Sequence, residues 1–182
     1  MVPSIDLRRE QRKIVWRALA SAVFCSLVFA AAYTVLPRYF SFPVDLAERL
    51  AFALQADIFI FLWVVLAVRR VSRHRFYSAT DSGAAAFGAP SAEIAMRAAF
   101  LQNTLEQAVI AVGAHLALAT LASGASLALI PAAVTLFAIG RLPFLLGYPH
   151  GAGARAFGMV TTTLPTIGLY GWALWILAVQ LF

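Results

Sequence analysis

The residues of this chain best suited to chemistry fall in two short stretches. One reads Gln102-Asn103-Thr104-Leu105-Glu106-Gln107, and the other runs from Arg141 through Phe144 and Tyr148 to Arg155. On a helix, Asn103 and Glu106 are three residues apart and Gln102 and Glu106 four, so amide and carboxylate share a face. Gln107 widens that stripe. Arg141, Phe144 and Tyr148 recur at i, i+3 and i+7, which makes a second one-sided stripe. Arg69 and Arg70 add two more cations. Several guanidinium groups around one carboxylate suit a small anionic ligand that also carries an amino group. The structural alternatives are an Arg141–Glu106 ion pair, or interhelical hydrogen bonds that fix an oligomer. No metal centre is expected, because His74, His115 and His150 are scattered and Cys25 is the single cysteine.

The elements that must position these residues are dictated by composition. Of 182 residues, 62% are hydrophobic and 12% charged, whereas an ordinary soluble domain is ~45–50% apolar and ~25% charged. That excludes intrinsic disorder, a disulfide scaffold and a water-exposed enzyme. Five apolar runs are each long enough for ~30 Å of hydrocarbon: Ala18 to Leu36, Leu50 to Val68, Ala98 to Leu121, Ala125 to Gly147 and Met159 to Phe182. Pro37, Pro43, Gly124 and the Pro149-His150-Gly151-Ala152-Gly153 stretch punctuate them. The fold class expected is all-α and membrane-embedded.

Charge placement orients the spans. Arg8, Arg9, Arg12, Lys13 and Arg17 precede the first run; Arg69, Arg70, Arg73, Arg75 and Arg97 follow the second; Arg141 and Arg155 flank the fourth connection. Only Arg38 and Arg49 fall on the other side. The positive-inside rule therefore places the N-terminus in the cytoplasm and the C-terminus outside. The same asymmetry explains the net charge of +6 without nucleic acid. At ~1.5 Å per residue, Glu106 lies ~15 Å into its helix and Arg141 ~10 Å from the cytoplasmic end of its own. With the third and fourth helices as antiparallel neighbours, Arg141 reaches the level of Asn103 and Glu106. Arg69, Arg70 and Arg155 converge on the same mouth, beside lipid from which a hydrophobic second substrate could enter.

Gln102-Asn103-Thr104-Leu105-Glu106-Gln107 resembles the second-helix motif of the MAPEG superfamily, the membrane-associated proteins in eicosanoid and glutathione metabolism. Arg141-x2-Phe144-x3-Tyr148-x6-Arg155-x2-Gly158 is similar to that family's third helix, loop and start of the fourth, and Arg69-Arg70-Val71 to the end of its first. The resemblance covers residues 50–182, a four-helix transmembrane domain; residues 1–49 form a basic tail, an additional transmembrane helix and an outer loop. It implies a homotrimer that binds glutathione as co-substrate between subunits near the cytoplasmic face. By position, Asn103, Glu106, Arg141 and Tyr148 would hold the tripeptide. Arg155 would stabilise the thiolate, assisted by Arg70 or Arg69 of the adjacent subunit. A thiol of pKa ~8.5 is mostly protonated at neutral pH, and an arginine within ~4–6 Å favours its nucleophilic thiolate. The implied activity is a transferase or peroxidase acting on hydrophobic electrophiles or lipid hydroperoxides, in a multi-pass protein of a bacterial inner membrane.

Three positions depart from the family pattern: Ala99 where an arginine is usual, Phe144 where a tyrosine is, and Gln107 where tyrosine is common. The alternative function is a non-catalytic membrane protein that binds lipid or a protein partner through the same pocket. A small transporter ranks behind both. The first run, with its basic tail and Ala30-Ala31-Ala32, reads as a retained helix, with a cleaved signal as the alternative. Asp57 is expected to pair with Arg38 or Arg49, or to mark a separate proton or ion path. His115 is expected to be a satisfied interhelical residue. Pro131, Pro143 and Pro165 are expected to kink their helices, and the four tryptophans to face lipid or the interface.

Overall fold

The computed structural model describes residues 6–83 and 88–181, so the first five residues of the tail and Phe182 of the fifth run lie outside it. It contains five long helices: α1 (Leu7–Val35), α2 (Leu46–Tyr77), α3 (Ala92–Leu121), α4 (Leu129–Gly147) and α5 (Ala152–Leu181). All five are long and apolar enough to cross a membrane, and no strand occurs among the described residues. The chain is a multi-pass membrane protein.

The helices begin where polar side chains take up the free N–H groups of a first turn. Asp6 accepts from the Arg9 amide at 3.2 Å, Asp45 from Ala47 at 2.8 Å and Ser91 from Ile94 at 3.3 Å. Glu10, Glu48 and Glu93 add negative charge in the same first turns, where the helix dipole favours it. Three of the helices thus start well ahead of their apolar runs and carry polar turns beyond the hydrocarbon. α5 follows Gly151, whose φ of 92° suits glycine. Pro131 sits in the first turn of α4, where its missing N–H has no helical partner to lose, so it starts the helix instead of kinking it. Pro143 and Pro165 lie inside α4 and α5.

Helix α3 packs chiefly on α2 and α5, and α4 on α5 and α2, while α1 lies outside the four against α5 and α4. The third and fourth helices, read from their short connection as neighbours, are therefore diagonal across the bundle. The tightest seam is α4 on α5. A Cβ built on Gly140 would stand 2.5 Å from Thr162 Oγ1 and 2.8 Å from the Gly158 carbonyl, and one on Gly147 would stand 2.7 Å from Ala154. Small residues let these backbones touch, as membrane helices commonly require. On the outside of α1 and α2, Trp16, Leu19, Val23, Phe59, Leu62 and Val65 are exposed, which suits lipid.

Candidate functional site

Arg141 anchors the site from inside the bundle. The close α4–α5 seam puts the wholly buried Arg141 beside Thr162, whose Oγ1 donates to the Gly158 carbonyl at 2.9 Å and accepts from Arg141 Nε at 3.2 Å. Across the bundle, Arg141 Nη1 donates to Asn103 Oδ1 at 2.9 Å. The guanidinium also lies 4.5 Å from the centroid of the Phe144 ring and 5.4 Å from that of Phe137. Among the described residues no carboxylate lies within salt-bridge distance of it, and Nη2 has no partner. An arginine can only donate, so this contact fixes the orientation of the Asn103 amide. Its oxygen faces Arg141, and its NH2 group remains for whatever lies beyond.

What lies beyond is a groove of ≈ 320 Å³ lined by Asn103, Phe144, Tyr148 and Arg155 together with Ile14, Met159 and Val160. Tyr148 caps the C-terminus of α4, and Arg155 rises from the first turn of α5. The Arg155 guanidinium stacks 4.6 Å from the centroid of the Tyr148 ring, and Tyr148 meets Phe144 edge-on at 5.5 Å. No carboxylate among the described residues neutralises Arg155. The groove therefore combines cationic and hydrogen-bonding groups with an apolar lining. It can bind an amphipathic anion and hold a positive charge beside it.

Three of the sequence-derived site residues, Asn103, Tyr148 and Arg155, share this groove; Arg141 stands behind it. Glu106 does not join them. It is exposed on α3 and accepts from Gln102 Nε2 at 2.8 Å, so the Arg141–Glu106 pair does not form. Arg69 and Arg70 line a different cleft of ≈ 290 Å³ with Arg73, Arg97 and Phe100. A smaller cleft is lined by Arg70, Arg97, Phe100 and Tyr148, and Tyr148 also lines the groove. Within one chain, then, Arg69 and Arg70 do not reach Asn103. Of the departing positions, Gln107 is buried and accepts from Thr163 Oγ1 at 3.0 Å, while Ala99 is exposed.

Asp57 pairs with neither Arg38 nor Arg49. Its Oδ1 lies 2.5 Å from His115 Nδ1, and both residues are fully buried. Arg38 instead donates to the Thr34 carbonyl and Arg49 to that of Ala122. His115 is interhelical as expected, although its Nε2 and Asp57 Oδ2 have no partner. Sequence reasoning missed this pair, and it missed Ile14, which only the packing of α1 brings to the groove.

The MAPEG family model matches residues 50–175, from early α2 to most of α5. The chain is 27% identical over 169 residues to transmembrane protein 79 of Mus musculus; the match takes in 92% of this chain. It spans only 42% of that relative's length. No solved structure matches it significantly. The four helices α2 to α5, the two polar stretches in order upon them and the family match over most of the chain lead to one assignment: this protein belongs to the MAPEG family.

Proposed function

We propose that the protein is a glutathione-dependent transferase or peroxidase, with the groove beside Arg155 as its glutathione site. The observation that carries this reading is an unneutralised arginine stacked on Tyr148 at 4.6 Å, facing a groove into which Asn103 presents an oriented amide NH2. A cavity of ≈ 320 Å³ is at the small end of the ~300–1,000 Å³ usual for small-molecule sites. Glutathione's carboxylates suit the Arg155 guanidinium. Arg155 would lower the pKa of the bound thiol by opposite charge. The thiolate sulfur would then attack a hydrophobic electrophile, forming the S–C bond as the leaving group departs with its electron pair. In the peroxidase variant, two glutathiones reduce one lipid hydroperoxide to the alcohol and water and leave as the disulfide.

Homotrimer assembly completes the proposal. Glu106 and Gln102 are exposed on a helix that crosses the membrane, and a carboxylate facing lipid costs several kcal/mol, ~2.5–3.5 on insertion scales. A neighbouring subunit would cover that face and bring its own Arg69 and Arg70 towards the groove. The arginine distribution favours a cytoplasmic N-terminus and an outer C-terminus, and the membrane proposed is a bacterial inner membrane. The second reading, a non-catalytic binder of lipid or a protein partner, is favoured by one observation: Phe144 offers the groove a ring without a hydroxyl.

Purified protein incubated with glutathione and chlorodinitrobenzene separates the two. Conjugation should be measurable and should fall ~100-fold or more in Arg155→Ala, with trimer mass unchanged in native mass spectrometry. Equal rates in both proteins would remove Arg155 from the mechanism. No glutathione binding at millimolar concentration would leave the non-catalytic reading.

A further inference from the structure

One wall of the groove comes from outside the family-matched region, which begins at residue 50. Ile14 of α1 lines the groove together with Met159 and Val160 of α5. It is held there by contacts that converge on one glycine. Glu10 Oε2 accepts from the Gly153 N–H at 3.1 Å, and Arg17 Nη1 donates to the Gly153 carbonyl at 2.8 Å. Glu10, Ile14 and Arg17 are spaced four and three residues apart, so they share one face of α1. Lys13 Nζ holds the other Glu10 oxygen at 2.7 Å.

Gly153 lies in the first turn of α5, two residues before Arg155, and its N–H is one of the donors that a helix start leaves unpaired. A Cβ there would stand 2.6 Å from Glu10 Oε2 and 3.2 Å from Lys13 Cβ, so glycine is what admits α1 this closely. Further along, Ser21 Oγ and Thr161 Oγ1 are 2.7 Å apart and buried. α1 is thus fastened to α5 at two levels, with Ile14 near the upper fastening.

We propose that α1 is the selecting wall of the groove. Ile14 sets its width and so the bulk of hydrophobic compound admitted. Glu10 and Arg17 are positioning residues that hold the turn carrying Arg155. The wall stands on geometry alone; only its description as selecting a second, electrophilic substrate rests on the glutathione reading.

The test uses the full chain in detergent, with Cys25→Ser removing the single native thiol and Val160→Cys placing a reporter in the groove. The rate of labelling by N-ethylmaleimide reads access. Glu10→Ala should raise it about tenfold, the worth of one charge-assisted hydrogen bond. Glu10→Gln, which keeps an acceptor oxygen, should restore the parent rate. Ile14→Trp should lower it, with the elution volume unchanged on size exclusion. In conjugation assays, Ile14→Ala should shift preference towards bulkier electrophiles at constant KM for glutathione, and Glu10→Ala should lower kcat. Labelling rates alike in all four proteins would overturn the proposal. If the labelling pattern holds but no glutathione binds, the glutathione reading fails and the wall stands; if glutathione binds and the pattern is absent, the wall fails alone.

Discussion

Replacing His115 by leucine would expose the energetics of the buried Asp57–His115 pair. Asp57 and His115 side chains are 0% and 1% exposed, with one 2.5 Å contact between them. Leucine fills much of the imidazole volume, so the cavity cost is small and the loss is electrostatic. An ionised carboxylate left alone in a membrane-spanning bundle would cost about 3–5 kcal/mol. The destabilisation of His115→Leu should therefore be about 3–5 kcal/mol. Unfolding by SDS in mixed micelles measures this. The Asp57→Val/His115→Leu double variant, with no charge to strand, should recover most of the loss, since an apolar replacement of a buried pair is often neutral. A His115→Leu variant as stable as the parent, or a double variant as unstable as the single one, would refute the electrostatic account.

Other perturbations test other parts of the bundle. Gly158→Ala would drive a Cβ into the Phe144 backbone and the Gly140 carbonyl, so overpacking should cost at least ~1–3 kcal/mol in the same SDS titration, whereas Gly171→Ala, with open space around it, should be tolerated. Asn103→Leu removes the acceptor of Arg141 Nη1, leaves two guanidinium nitrogens unpaired and should cost ~1–3 kcal/mol; Asn103→Asp keeps that acceptor and adds opposite charge, so it should hold stability while repelling an anionic ligand in a binding titration. Asp81, between α2 and α3, accepts from the Ser91 N–H at 3.0 Å, from Ser91 Oγ at 2.7 Å and from Ser78 Oγ at 3.1 Å, and meets His74 Nε2 at 2.8 Å. The Ser91 bonds, the backbone one first, hold its carboxyl well below the usual carboxylate range. A depressed folded-state pKa stabilises above the unfolded value of ~3.9, and the gain is lost as pH falls through the folded value. Hydrogen exchange at the Ser91 amide should thus be faster in Asp81→Ala at neutral pH, and the two proteins should converge only as pH drops below about 4.

What was legible in the sequence, and what was not, divides along helix geometry. Length and polarity are one-dimensional, so the five spans could be counted directly, and depth arithmetic brought Arg141 to Asn103. Rotation about the helix is less tightly determined. Asn103 and Glu106 are ~60° apart on α3, close enough to be read as one face, yet the groove opens between them and leaves Glu106 outside. Neighbour order is not determined by loop length either. The small-residue seam of Gly140, Gly147 and Gly158 draws α4 against α5 and sets it diagonal to α3, so Arg141 reaches Asn103 through the bundle centre and not along a shared edge. The Asp57–His115 pair was within reach of the same depth argument: Asp57 lies ~18 Å along α2 from Arg69, and His115 ~18 Å along α3 from Asn103, running the opposite way. Two ionisable groups at one level of an apolar bundle have strong reason to meet, because each is costly alone. Gly153 carried a signal of another kind. In the Pro149–Gly153 stretch it reads as punctuation between two spans, whereas its role is to admit Glu10 and Lys13 at a distance no side chain would allow. A glycine inside the first turn of a helix, where conformational freedom is of no use, is better read as a place where another backbone or side chain comes close.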